Sequence, residues 1–233
     1  GMKKHFLGCF FCILVLLFSC CATAKPLYVV GDRVFATEFN IMTFNAFLNG
    51  SIEFVREDVI TARCEGPADL AFTTDGQYMF TASAGSAWIQ VVDTATMTIV
   101  EEEHVSGTQE DFSGVAFDPA RNLVYSVDKG QNQLYVYDWD SVNVDLTLAE
   151  NGQITLPGTS TYDIALDLVN RLLFVSNGTN KIHLFNTANW SLNRIITLGR
   201  NVKRIDLDER KQVLYAGHQV SGHPHLLQYD LLS

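Results

Sequence analysis

Residues 114–138 read GVAFDPARNLVYSVDKGQNQLYVYD, and this stretch decides the fold. GVAF is a short apolar strand, DPARN a polar turn and LVYSVD a second apolar strand. After a polar loop, LYVYD supplies a third strand that ends in an acid. Asp, Pro and Asn are residues that open or close tight turns, because each presets or tolerates the backbone angles a turn demands.

The same phrase recurs along the chain. Its first half returns as DLAFTTDGQYMFTAS at 69–83, DIALDLVNRLLFVSN at 163–177 and RIDLDERKQVLYAGH at 204–218. Its second half returns as IMTFN at 41–45, WIQVVD at 88–93, IHLFN at 182–186 and LLQYD at 226–230. The closing residues Asn45, Asp93, Asp138, Asn186 and Asp230 are spaced 48, 45, 48 and 44 apart. A period in that range marks propellers and solenoids. Fourth strands such as MTIVEEE and LNRIITL follow, and four short strands joined by tight turns make one propeller blade. No segment keeps a helical period over a dozen residues.

The sequence therefore predicts an all-β propeller of about five four-stranded blades, at 27–57, 66–105, 110–156, 160–198 and 201–233. In the first, LYVV, RVFAT, IMTFN and SIEFV are the expected strands. The last stops after its third strand, which leaves three readings open. They are a five-bladed ring with an incomplete blade, a rearranged N-terminus that lends the missing strand, and a truncated form of a six- or seven-bladed parent.

Residues 1–24 read as a separate object, an export signal with Lys3 and Lys4 ahead of an apolar run from Phe6 to Phe18. The propeller domain is then 25–233. Ala22, Thr23 and Ala24 form an A-x-A cleavage site that frees a soluble chain. Leu17, Phe18, Ser19 and Cys20 instead resemble a lipoprotein box, with Cys20 as the lipidated residue and the membrane reached only through that anchor. Either way the expected location is periplasmic or extracellular. Cys64 is the one cysteine beyond the signal, so no internal disulfide is expected.

The chain carries 16 basic and 26 acidic residues, a net charge of −10. Such a surface repels phosphate backbones, and no basic cluster with interleaved aromatics appears, so nucleic acid is not an expected partner. Beyond residue 24, motifs for nucleotide loops, zinc proteases, α/β-hydrolases and thioredoxins are missing from the sequence.

The pairing of Ala116–Asp128 with Gln133–Asp138, and the phrase WIQVVDTATMTIV at 88–100, resemble the YVTN and lactonase-like propeller repeats. The resemblance covers about 66–230. It implies either a binding or scaffolding propeller outside the cytoplasm or a hydrolase acting on sugar lactones. It carries no set of catalytic residues to this chain.

Candidate site residues come from propeller geometry. Residues just before each innermost strand surround the mouth of the central channel. Aligning Phe72, Phe117, Leu166 and Leu207 puts Asp69, Gly114, Asp163 and Arg204 at equivalent positions. Two carboxylates and a guanidinium near one axis suit a polar ligand, acid and base chemistry, or an internal ion-pair network. Asp111, Tyr162 and Lys203, with Glu110, form the next ring outward.

His218, His223 and His225 are the candidates for metal ligation, but their spacing matches no zinc motif and a solvated loop is the default. The closing Asx residues are expected to cap turns through their side chains. The leading expectation is thus an exported propeller that binds a protein or small polar ligand, with no cofactor and no chemistry of its own. The alternatives are a lactonase-like hydrolase of a small sugar lactone or ester, and a truncated product without independent function.

Overall fold

The computed structural model describes residues 25–31, 38–61, 67–83, 87–105, 111–129, 131–158, 161–220 and 223–232. Within them every regular element is a β-strand, and the strands form five antiparallel sheets that follow one another along the chain. The protein is a β-propeller. The expected signal segment, Cys20, Cys64 and Glu110 lie outside the described residues.

Blade 1 holds β1 (Lys25–Gly31), β2 (Glu38–Ala46) and β3 (Ile52–Thr61). Blade 2 holds β4 (Pro67–Phe72), β5 (Tyr78–Ser83), β6 (Trp88–Asp93) and β7 (Thr98–His104). Blade 3 holds β8 (Phe112–Asp118), β9 (Leu123–Asp128), β10 (Gln133–Asp140) and β11 (Asp145–Thr155). Blade 4 holds β12 (Asp163–Asp167), β13 (Leu172–Ser176), β14 (Lys181–Asn186) and β15 (Leu192–Thr197). Blade 5 holds β16 (Arg204–Asp208), β17 (Val213–Val220) and β18 (His223–Asp230).

Blades 2 to 4 are four-stranded in simple up-and-down order, and blade 5 has three strands, as its repeat implies. Blade 1 differs from the expected arrangement. β1 pairs directly with β2, Leu27 opposite Phe44, so no strand stands between LYVV and IMTFN. The RVFAT segment expected there lies outside the described residues. By position in the sheet, β1 matches the second strand of the other blades.

The core is a set of layers between blades. Phe39, Ile41 and Ile60 of blade 1 pack on Met79, Val92 and Met97 of blade 2. Phe80, Ile89 and Val91 of blade 2 meet Phe112, Tyr135 and Trp139 of blade 3. Tyr125, Val127 and Leu134 of blade 3 meet Ile164, Leu173 and Phe185 of blade 4. Phe174, Ile182 and Leu184 of blade 4 meet Ile205, Leu214 and Ala216 of blade 5. Both faces of an inner blade are covered, so β5 is buried along its whole length rather than alternating. Among the described residues no such layer joins blade 5 to blade 1.

Turn capping operates at three of the five repeated Asx residues. Asp93 Oδ1 accepts the backbone N–H groups of Ala95 and Thr96, each at 2.9 Å. Asn186 Oδ1 accepts from Ala188 at 2.8 Å, and Asp230 Oδ1 from Leu232 at 2.9 Å. In blade 3 the cap is Asp140, not Asp138, with Oδ1 accepting from Val142 at 2.9 Å. β10 runs two residues past Asp138, which pairs mid-strand with Leu123 and Thr147. Asn45 likewise sits in the ladder, between Pro26 and Glu53.

The turns between first and second strands are capped in the same way. Asp118, fully buried, accepts the N–H of Ala120 at 3.0 Å and pairs with the Arg171 guanidinium of blade 4 at 3.2 Å. Asn122, Arg171 and Gln212 end these turns at φ of 54°, 57° and 54°, the left-handed conformation that closes the hairpin.

Candidate functional site

Four inner strands, β4, β8, β12 and β16, run side by side in that order. They line a cavity of about 500 Å³ bounded by residues 69–72, 115–117, 163–166 and 204–207. Asp69, Asp163 and Arg204 converge at it, as the repeat alignment predicts. Blade 1 contributes nothing to its lining among the described residues.

Each carboxylate is fixed by a main-chain donor on the following blade. Asp69 Oδ2 accepts the Val115 N–H of blade 3 at 2.9 Å. Asp163 Oδ2 accepts the Ile205 N–H of blade 5 at 2.8 Å. Register shifts in β4 between Pro67 and Asp69, and in β8 between Phe112 and Gly114, mark bulges of the kind that re-aim side chains. At the intervening position Gly114 has no side chain to give. A Cβ there would stand 2.9 Å from the Ile164 nitrogen and 3.0 Å from Asp163 Oδ1, so blades 3 and 4 approach too closely for any larger residue.

Arg204 reaches across the mouth. Its Nη1 donates to the Ser113 carbonyl of blade 3 at 2.5 Å and lies 3.5 Å from Asp163 Oδ1. That Oδ1 is buried and accepts no hydrogen bond. It is the one carboxylate oxygen of the pair left facing the guanidinium alone.

This setting raises the pKa of both acids. Burial is the main cause for Asp69, whose pKa is pushed up to about 6 against the lowering effect of the Val115 and Leu70 N–H groups and the Arg204 charge. The nearby Asp206 carboxylate pushes it further the same way. Asp163 is raised well above the usual carboxylate range, by burial first and by the charge of Asp69 second, with Arg204 opposing. Two carboxyls whose environments displace them toward neutral pH are suited to proton transfer.

The outer ring is also partly assembled. Lys203 and Arg204 lie beside the half-buried Tyr162 ring, Nζ at 5.3 Å and Cζ at 5.9 Å from its centroid. Asp111 pairs with Lys129 at 3.0 Å, a partner the sequence reading missed. Lys129 follows β9 and occupies the place held by Gly178 in the next repeat, so an alignment of the loops after the second strand would have exposed it. Asp206 was missed as well, though it is two residues beyond Arg204 on the same face of β16.

His218 and His225 stand opposite each other in the β17–β18 ladder, so these histidines belong to a long hairpin and not to an open loop. The side chains of His218, His223 and His225 lie outside what the structure describes. Among the described residues no group of three His, Cys, Asp or Glu is placed to hold a metal ion.

No protein-family model and no curated protein matches the sequence. Solved structures do match it. A candidate 6-phosphogluconolactonase from Bacteroides uniformis superposes with a TM-score of 0.67 at 12% identity, covering 88% of this chain and 64% of that one. A candidate 6-phosphogluconolactonase from Bacteroides fragilis gives a TM-score of 0.65 at 15% identity, with the same coverage of 88% and 64%. Kuenenia stuttgartiensis hydrazine synthase gives 0.56 at 15% identity over 78% of this chain and 52% of its own. At these identities the likeness establishes the propeller fold. The chain spans about 64% of the length of the first two.

Proposed function

We propose that the channel mouth binds a small polar molecule and that its chemistry is the hydrolysis of a lactone or ester, in preference to the non-catalytic scaffold that the sequence first suggests. The observation that carries this reading is the pair of acids, Asp69 and Asp163, whose pKa values burial raises to different extents and which face one cavity with Arg204. The fold shared with two candidate lactonases supports it, as does the resemblance to YVTN and lactonase-like repeats.

In this mechanism the ionised Asp69 takes a proton from water as the water oxygen bonds to the acyl carbon. The guanidinium of Arg204 stabilises the charge gathering on the acyl oxygen. Asp163, whose pKa burial raises well above the usual carboxylate range, gives its proton to the departing alkoxide as the acyl C–O bond breaks. Water is consumed and a hydroxy acid is released, with no redox partner needed.

A panel of sugar lactones and simple esters tests this. Turnover by the wild-type chain that is lost in both Asp69→Asn and Asp163→Asn supports the hydrolase. Absence of turnover across the panel, with a sugar or sugar acid still bound, returns the protein to a binding propeller. That second reading has its own support: Asp69 Oδ2 and Asp163 Oδ2 are already engaged in joining blades. Location outside the cytoplasm, soluble or anchored through Cys20, is part of the same proposal and rests on the export-signal pattern of residues 1–24.

A further inference from the structure

Blades 2, 3 and 4 each turn the same kind of row toward the blade that follows. The rows are Ala71, Phe80 and Val91 in blade 2, Ala116, Tyr125 and Val136 in blade 3, and Ala165, Phe174 and Leu184 in blade 4, paired across first, second and third strands. Each row belongs to the apolar layer shared with the next blade. A small residue, an aromatic ring and a branched aliphatic side chain let successive sheets close on each other without stranding a polar group.

Blade 5 breaks the pattern. Its equivalent row is Asp206, Tyr215 and Gln228, and both Asp206 and Gln228 are exposed. Arg204, Asp208 and Asp230 lie on the same side of the sheet. A sheet laid against this face would have to take several charges out of water, which is costly unless each finds a partner.

Blade 1 is the opposite case. One of its faces, with Phe39 and Ile41, is buried on blade 2. On its other face the register sets Leu27 opposite Phe44, Phe44 opposite Phe54, Val29 opposite Met42, and Ala46 opposite Ile52. Val59, across from Asn40, extends the same surface. Leu27, Val29, Ile52, Phe54 and Val59 are each between 40% and 60% exposed. Glu57, on this face, accepts the Asn40 side-chain amide at 2.5 Å.

Three strands of this length make a face of about 15 by 30 Å, so covering it on two molecules removes on the order of 1,000 Å² from water. That reaches the area at which a specific interface becomes recognisable, and contiguous apolar surface of this extent marks sites of association.

We infer that the open face of blade 1 is a dimer interface, which packs on the same face of a second copy of this chain about a two-fold axis. Pairing like faces buries apolar side chains against apolar side chains. Joining blade 1 to blade 5 of another copy would instead set Leu27, Phe44 and Phe54 against Asp206, Gln228 and Asp230. A two-fold arrangement also closes at two copies, whereas head-to-tail joining continues into rings or filaments. The interface is independent of the chemistry at the channel mouth.

Sedimentation velocity on the purified chain, from about 1 to about 200 μM, tests the interface. The expected result is a reversible monomer–dimer equilibrium with no larger species. Leu27→Thr and Phe54→Thr alter exposed positions and keep a β-branched residue in the strand, so the thermal melt should stay near that of the wild type. Each should weaken dimerisation by about tenfold. Leu226→Thr, at a position 70% exposed on blade 5, should leave it unchanged. A chain that stays monomeric across the range, its blade 1 face left to solvent or to another occupant, overturns the inference. Growth beyond the dimer, a dimer that survives both blade 1 variants, or one weakened by Leu226→Thr overturns it equally.

Discussion

The Asp163 carboxylate of blade 4 accepts the Ile205 main-chain N–H of blade 5 at 2.8 Å. Asp69 and Val115 repeat the relationship at 2.9 Å between blades 2 and 3. A side chain at the start of one inner strand thereby satisfies an edge donor of the next, at the height where a ligand would enter. The same residues serve cohesion and the candidate site, so substitutions must be chosen to separate the two.

Asp163→Ala removes the acceptor and leaves the Ile205 N–H buried without a partner. A buried donor stranded in this way costs about 1–3 kcal/mol. Urea denaturation should show that loss, while Asp163→Asn, which keeps an acceptor oxygen, should lose much less.

Asp69 makes stability depend on pH with an unusual sign. Its folded pKa of about 6 exceeds that of an ordinary aspartate, so the native state binds the proton more tightly than the unfolded chain. Stability from this group is full below the unfolded value and is lost as pH rises through about 6. For a partly exposed carboxyl the loss is of the order of 1–3 kcal/mol. Melting temperatures should therefore fall between about pH 4.5 and pH 7 in the wild type and flatten over that window in Asp69→Asn.

Gly114→Ala places a methyl group 2.9 Å from the Ile164 nitrogen and 3.0 Å from Asp163 Oδ1. Backbone cannot yield there without parting blades 3 and 4, so overpacking should cost about 1–3 kcal/mol. Gly199→Ala, with open space around its Cβ, is the matched control and should be near neutral in the same denaturation experiment.

Arg171→Met strips the fully buried Asp118 of its cationic partner. Removing one member of such a pair leaves an uncompensated charge, and a loss of about 2–4 kcal/mol is expected with Arg171 itself part-exposed. The unfolding midpoint at pH 7 reads this directly, and a fall of under about 0.5 kcal/mol would show that solvent reaches Asp118.

Much of the fold is legible because propeller physics is local. Short apolar strands, Asx caps and a regular period need only neighbours within one repeat, so blades 2 to 5 stand where the repeats place them. The misreadings have local causes of another kind. Blade 3 lengthens its third strand by two residues, which moves the cap from Asp138 to Asp140. In blade 1 the direct pairing of Leu27 with Phe44 follows from hydrogen-bond register, which no composition reports.

By itself the sequence determined the all-β class, the five repeats and the convergence of Asp69, Asp163 and Arg204. Equivalent positions in a rotary repeat must meet near its axis, so counting along the chain suffices. Only the tertiary structure decided that each acid is bound to the next blade, that burial raises the pKa of both, and that Lys129 joins Lys203 and Arg204 around Tyr162. Those properties depend on burial and on charges brought together from different repeats. Distances across blades set them, and sequence spacing does not record such distances.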